Sequence, residues 1–280
     1  MTIAQESPVR TQFPKPRLGG SPGRGRAVAR NVGWAAVGAA GALLVWQAAA
    51  GATPVPSPVE SLRKLGTLLW YPFYDLGPND KGIARQLGIS LQRVGVGFLL
   101  AALVGIPLGL FIGANRRAWM AINPVVQMLR PVSPLAWFPI WLVIFRNNSQ
   151  AAIWVIFITA LWPTVLNTAA GAGSIPEDQR RVAAVFKFGR LAYLRHILVP
   201  NTLPSIVTGL RLSMGIAWMV IVAVEMLSGG TGIGFFVWNS YNADDIPSVM
   251  ASILIIGAVG LLLDFAFLRL AKAVSIEKVA

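Results

Sequence analysis

The sequence predicts an all-α, polytopic membrane protein with six spanning helices, and three observations carry that reading. Of its 280 residues, 55% are hydrophobic and only 12% are charged. Uncharged runs such as 95–114 and 151–172 reach the roughly 20 residues that a helix needs to cross about 30 Å of hydrocarbon. The 24 Lys/Arg mostly flank the apolar runs, so the net charge of +13 belongs to a membrane protein's borders and not to a nucleic-acid surface. A soluble domain of this length buries a core without needing several such runs.

Taken in order, residues 1–30 hold six Lys/Arg against one Glu, interleaved with Pro, Gly and Ser in PKPRLGGSPGRGR. That composition cannot bury enough surface to fold and predicts a disordered basic tail ahead of a membrane domain at 31–280. The stretch 32–51 is longer than the apolar part of a secretory signal and has no clear small-x-small site before TPVPSP, so it is predicted as the first span. The others fall at 93–114, 118–145, 150–172, 203–227 and 247–270. After TPVPSP, the stretch VESLRKLGTLLWYPF alternates apolar and charged residues at helical spacing. It predicts a helix in the outer interface with Trp70 and Tyr71 at headgroup level, followed by a tight loop at FYDLGPNDKG. With the amino terminus inside, 16 of the 24 Lys/Arg fall in cytoplasmic segments, which predicts that both termini are cytoplasmic.

The third span carries Pro131, Pro134 and Pro139 in LRPVSPLAWFPIW. Each proline removes a backbone donor, which lipid tolerates only where protein or water satisfies the freed carbonyls. Arg130 stands at this break with Ser133 just beyond, either lining a polar path or snorkelling from a kinked packing helix. Arg211 and Glu225 are the other deep charges. Separated by about 20 Å along one helix, they cannot bond to each other, and each needs another partner. These four residues are the candidates for lining a polar path across the membrane.

SIPEDQ, with Ser174, Pro176, Glu177 and Asp178, is a helix start. Residues 180–200, RRVAAVFKFGRLAYLRHILVP, then hold five Lys/Arg and the one histidine, too polar to cross a bilayer. Val182, Val185, Phe186, Tyr193, Leu194, Ile197 and Leu198 recur at three- and four-residue steps, which predicts two short amphipathic helices joined at Gly189 and closed by Pro200 and Pro204. Such a unit fits the groove of another protein or the surface of a lipid layer.

The absent cysteine excludes disulfides, thiolate metal sites and Cys nucleophiles, and His196 is the only residue on which a Ser-His-Asp triad could be built. Glu225, Asp244, Asp245 and Asp264 are spread between loop and far helix end, which is no active-site cluster. No lysine follows a glycine, so the Walker A pattern is missing. GGTGIGFF imitates a dinucleotide fingerprint but has no strand before it, and reads as a tight-turning outer gate. No catalytic residue, metal site or cofactor is expected, and no nucleic-acid partner.

The insert resembles the cytoplasmic coupling loop of binding-protein-dependent ABC importer permeases, whose pattern is EAA, three residues, Gly, nine residues and I-x-L-P. Residues 197–200 match the closing motif with Val for Leu; counting back puts the Glu on Arg181, the alanines on Val182 and Ala183, and the Gly on Lys187. Gly189 is the remaining candidate for the bend. LRPVSPLAWFPIWLVIF, ALWPTVLNTAAG, FYDLGPNDKG and the stretch from LPSIVTGLRLSMG to NADD are similar to the permease subunit of nitrate-type importers, whose relatives carry bicarbonate, cyanate, taurine and alkanesulfonates. The resemblance covers about residues 35–272. It implies a type I ABC importer permease fold, a permease homodimer in the lipid of a bacterial plasma (inner) membrane, cytoplasmic ATP-binding subunits and an external substrate-binding protein. ATPase coupling would then run through a loop at about 174–202, with Val182, Ala183, Ala184, Lys187, Gly189, Ile197 and Pro200 as the contacts. The implied cargo is a small inorganic anion, nitrate or nitrite first, with bicarbonate or taurine and alkanesulfonates as the runner-up, and the chain itself is no enzyme. A secondary carrier or channel, which needs no cytoplasmic grip, is the alternative of another class.

Overall fold

The computed structural model describes residues 24–77 and 80–276, and every regular element among them is a helix apart from one isolated bridge between Asp75 and Lys81. Residues 1–23 of the expected tail, and Pro78 and Asn79 of the expected loop, lie outside the described residues. Residues 24–30 are already helical, as the opening turns of α1 (Arg24–Ala52).

The chain divides at Pro58 into two compact units. In the first, α1 from Arg30 onward is long and apolar enough to span, and the Trp46 indole N–H donates to the Pro56 carbonyl at 3.0 Å to close the turn that follows.

The second unit opens with α2 (Pro58–Trp70), where a proline with preset φ begins the helix and Glu60 sits in its first turn. Trp70 and Tyr71 are exposed, as an interfacial helix requires. After α3 (Ile83–Ala114), the side chain of Asn115 accepts from the Arg117 amide at 3.0 Å and starts α4 (Arg116–Leu129). The prolines then act: α4 ends, a 3-10 turn (Pro134–Trp137) follows, and α5 (Phe138–Phe145) leaves at 92° to α4. Asn147 caps α6 (Asn148–Gly173). The insert forms α7 (Glu177–Val185), α8 (Arg190–Tyr193) and a π turn (Leu194–Leu198) that runs straight into α9 (Val199–Ser228). Helices α10 (Ile233–Asn242) and α11 (Ile246–Ile276) complete the unit.

Helix α6 packs between α3 and α9. Helix α3 turns Gly97, Ala101, Gly105, Gly109 and Gly113, every fourth residue, toward α6. A Cβ on Gly97 would lie 2.8 Å from the Ile156 side chain, and one on Gly109 would lie 2.6 Å from the Thr168 Cβ, so the two backbones touch where any larger residue would hold them apart. In lipid, where apolar surface gains nothing by leaving the solvent, such close approach is the main source of helix association.

The pairs Gly97 with Ile156, Gly105 with Thr164 and Gly109 with Thr168 advance together, so α3 and α6 run parallel. Two parallel spans require the chain between them to return across the membrane. The bent α4–α5 pair is therefore a broken span and not a re-entrant loop, which brings the spans among the described residues to six. Helix α9 runs antiparallel to α6, with Thr164 and Ser213 hydroxyls 2.7 Å apart, and α11 antiparallel to α9, with the Trp218 indole N–H donating to the Ile256 carbonyl at 3.0 Å.

Two details of the insert differ from expectation. The bend is at Lys187, whose φ of 50° places it in the left-handed region. That is the position where the coupling pattern carries glycine, whereas Gly189 has φ of −64° and a conformation open to any residue. Pro200 and Pro204 also do not close the unit, because the helix is continuous from Arg190 to Ser228. The π turn widens the helix immediately before Pro200, where the pyrrolidine ring would otherwise press on the carbonyl of the preceding turn. In the stretch read as an outer gate, the part from Ile233 onward is helix α10.

Candidate functional site

Arg130 ends α4 at the break and is exposed. It lines two clefts, one of about 190 Å³ shared with Trp137, Thr159 and Trp162, and one of about 370 Å³ shared with Asn167 and Leu212. It is the one charged residue among the described residues lining either cleft. The Thr159 hydroxyl donates to the Val155 carbonyl at 2.6 Å and the Asn167 amide to the Pro163 carbonyl at 2.8 Å, so the one donor of Thr159 and one of the two N–H groups of Asn167 are engaged within α6. Ser133 is exposed beside the break, leads the 3-10 turn and lines neither cleft.

Arg211 is held by α11: its Nε donates to Asp264 Oδ1 at 2.6 Å and its Nη2 to Oδ2 at 2.9 Å, a two-pronged ion pair.

Glu225, near the far end of α9, is fully buried and has Arg93 of α3 as its partner at 2.7 Å. The Ser90 hydroxyl donates to its Oε2 at 2.7 Å and the Gly234 amide at 3.1 Å. The same helix face holds the loop between α9 and α10. The Gln86 side-chain oxygen accepts from the Gly232 amide at 2.7 Å, Ser90 Oγ from the Ile233 amide at 2.8 Å, and Arg93 donates to the Thr231 carbonyl at 2.6 Å and the Ser149 hydroxyl at 3.0 Å. Gly232 has φ of 125° and lies so close to the Glu225 carboxylate that a Cβ there would overlap it. The loop at 229–234 is thus tied to the ends of α3, α6 and α9.

On the opposite face, the insert shows a mixed surface. Val182, Ala184, Lys187, Gly189 and Pro200 are exposed. Ala183 is buried, with its carbonyl accepting from the Phe188 amide at 2.9 Å, and Ile197 packs on a small cluster of Ala172, Ile175 and Leu198. Val185, Phe186 and Leu191 are 77%, 70% and 76% exposed and extend the apolar patch begun by Val182.

Residues 105–276, more than half of the chain, match the family of the binding-protein-dependent transport system inner membrane component. This chain belongs to that family. The permease is 46% identical to the nitrate import permease protein NrtB of Synechocystis sp., over 82% of this chain and 84% of the relative. It is 45% identical to the bicarbonate transport system permease protein CmpB of Synechococcus elongatus, over 81% of this chain and 84% of the relative. Among solved structures, the inward-facing MetNI methionine ABC transporter matches with a TM-score of 0.61 over 69% of this chain and 95% of that chain, at 18% identity. The permease therefore has the type I ABC importer permease fold.

Reasoning from the permease sequence found Arg130, Arg211 and Glu225 but missed their neighbours. Gln86, Ser90 and Arg93 are spaced four and three apart on one face of α3, beside Arg85 and Gln92 on its other faces, and the polar face running into an apolar span is the signal that the sequence offers. In the sequence Asp264 reads as an isolated acid, since nothing local ties it to Arg211, 53 residues away.

Proposed function

We propose that this permease is the translocation subunit of an ATP-driven importer of a small inorganic anion, with nitrate and nitrite as the first candidates. The observation that carries the reading is the lone guanidinium of Arg130 over walls that include Trp137 and Trp162, at the break of a spanning helix. An anion leaving water there gains one charge partner and few other donors, so a monovalent, weakly hydrated ion is favoured and a strongly hydrated one loses more than it recovers. One charge also attracts without trapping. Bicarbonate is the second reading, favoured by the 45% identity to CmpB. Its tighter hydration suits these walls less well.

In this reading residues 31–280 are the membrane domain and 174–202 the coupling loop, both termini are cytoplasmic, and the permease works as a homodimer with separate ATP-binding subunits and an external binding protein. The positive-inside distribution supports the orientation. The exposed patch of Val182, Val185, Phe186 and Leu191 supports a cytoplasmic protein groove as its cover. Arg211 and Glu225, each already paired, are assigned to architecture, and Arg130 to the anion.

The test is isotope-labelled nitrate uptake by the assembled complex in liposomes. Arg130→Gln removes a charge-assisted contact worth about 1.5–3 kcal/mol and is expected to cut uptake roughly 10- to 100-fold with assembly intact, whereas Arg130→Lys retains most of it. Normal uptake by the Gln variant takes Arg130 out of the path.

A further inference from the structure

On the face that carries the insert, a cleft of about 440 Å³ opens among the last turns of α3 and α6 and the first turns of α4. Gly113, Ala169 and Ala170 give it a narrow apolar floor, and Trp119 a wall. Ala114, Gly173 and the exposed Arg116 and Arg180 complete the lining, and no carboxylate joins them among the described residues. Arg180 Nη2 donates to the Gly173 carbonyl at 3.2 Å, which sets its guanidinium at the end of α6. The two acids nearest to Arg180 in sequence, Asp178 and Glu177, do not line the cleft, and Glu177 is taken by Arg181 at 2.8 Å. Spanning helices α3 and α6 both end here, at Ala114 and Gly173, and the ends of spanning helices are where hydrocarbon gives way to headgroups in a bilayer of ordinary thickness.

We propose that this cleft binds one anionic phospholipid, its phosphodiester held by Arg116 and Arg180 and an acyl chain laid along the small-residue floor. The two halves of the cleft match the two halves of such a molecule. Guanidiniums pair with phosphate oxygens in a fixed fork, and an apolar groove at the interface has a lipid tail as its ready occupant. A free phosphate would satisfy the arginines and leave the floor bare, and a zwitterionic lipid would bring a cation to a cleft that has no anion. Because Arg180 belongs to α7 and Arg116 to α4, an occupied cleft joins the insert to the broken span.

The experiment uses the full-length chain in its assembled complex, in nanodiscs of phosphatidylcholine with or without phosphatidylglycerol. The readouts are native mass spectrometry of retained lipid and the thermal midpoint. Phosphatidylglycerol is expected to be retained and to raise the midpoint. Arg116→Gln with Arg180→Gln should reduce retention about thirtyfold, the factor contributed by two interfacial basic residues. Ala170→Phe, at an exposed floor position, keeps both charges and fills the groove, so it should also lose the lipid while the complex still assembles. Undiminished retention in both variants overturns the proposal. So does a midpoint rise from millimolar inorganic phosphate alone, which would mark a free-anion site, or loss of the lipid whenever the ATP-binding subunits are attached, which would mark a protein interface.

Discussion

Glu225→Met tests whether the charge buried at the end of α9 holds the loop at 229–234. The carboxylate is fully buried and accepts from Arg93, from Ser90 and from the Gly234 amide. Removing it leaves Arg93, whose side chain is only 10% exposed, without a counter-charge, and the Gly234 amide without an acceptor. Stranding one member of a buried ion pair costs about 3–5 kcal/mol, far more than the net worth of the pair, because the desolvated charge remains. Arg93→Met combined with Glu225→Met removes that charge as well and is expected to fall within about 1–2 kcal/mol of the parent, so the two substitutions should be strongly non-additive. Equilibrium unfolding in mixed detergent micelles measures both, and thermolysin cleavage at Ile233 reports whether the loop has come loose. A Glu225→Met protein within about 1 kcal/mol of the parent, or a double variant as unstable as the sum of the singles, would refute the reasoning.

Three further outcomes are expected. In the insert, Phe186→Ala should leave the complex assembled and lower the coupling of ATP hydrolysis to uptake, whereas Ala183→Asp, placing a charge at a buried position, should lower the amount of assembled complex; equal behaviour of the two would mean that the exposed patch is not the grip. A cysteine at Asp80 should react with an impermeant thiol reagent added outside and one at Gln179 only after permeabilisation, a clean assay in a chain without native cysteine. Burial opposes ionisation of Asp245, but hydrogen bonds from Lys64 and Ser248 outweigh it and hold its carboxyl below the usual 3.8. Because the folded value lies below the unfolded one, the stabilisation is complete above the unfolded value and is lost as pH falls through the folded one. A spin label at Thr67 of α2 should therefore gain mobility only in strong acid, and already at neutral pH in Asp245→Asn.

What the sequence made legible was periodic or chemical in a local way. The spans follow from apolar runs, the broken third span from Pro131 and Pro134, and α2 from its alternation after TPVPSP. What stayed hidden was decided at a distance. Arg93 and Glu225 are 132 residues apart, and nothing local to either announces the other. The inward turn of Ala183 depends on how α7 lies against the ends of the spans, which a helical period alone does not fix. The bend at Lys187 was obscured for another reason: lysine pays a steric cost in the left-handed region, so the residue type points away from the conformation that its surroundings impose.

The helix that joins the insert to the loop at 229–234 sets a limit on how this chain can vary in length. From Arg190 to Ser228 it is unbroken for 39 residues, about 58 Å of rise. Adding or deleting one residue between Pro200 and Glu225 would turn the carboxylate by about 100° relative to the insert and slide it about 1.5 Å, out of phase with Arg93. Substitutions in this stretch cost only what their side chains contribute, but single insertions and deletions unseat one end or the other. The π turn at Leu194–Leu198 already stores one residue out of phase. It is the place where the rod can lose a residue, by tightening to an ordinary helical turn, and still keep both ends in step.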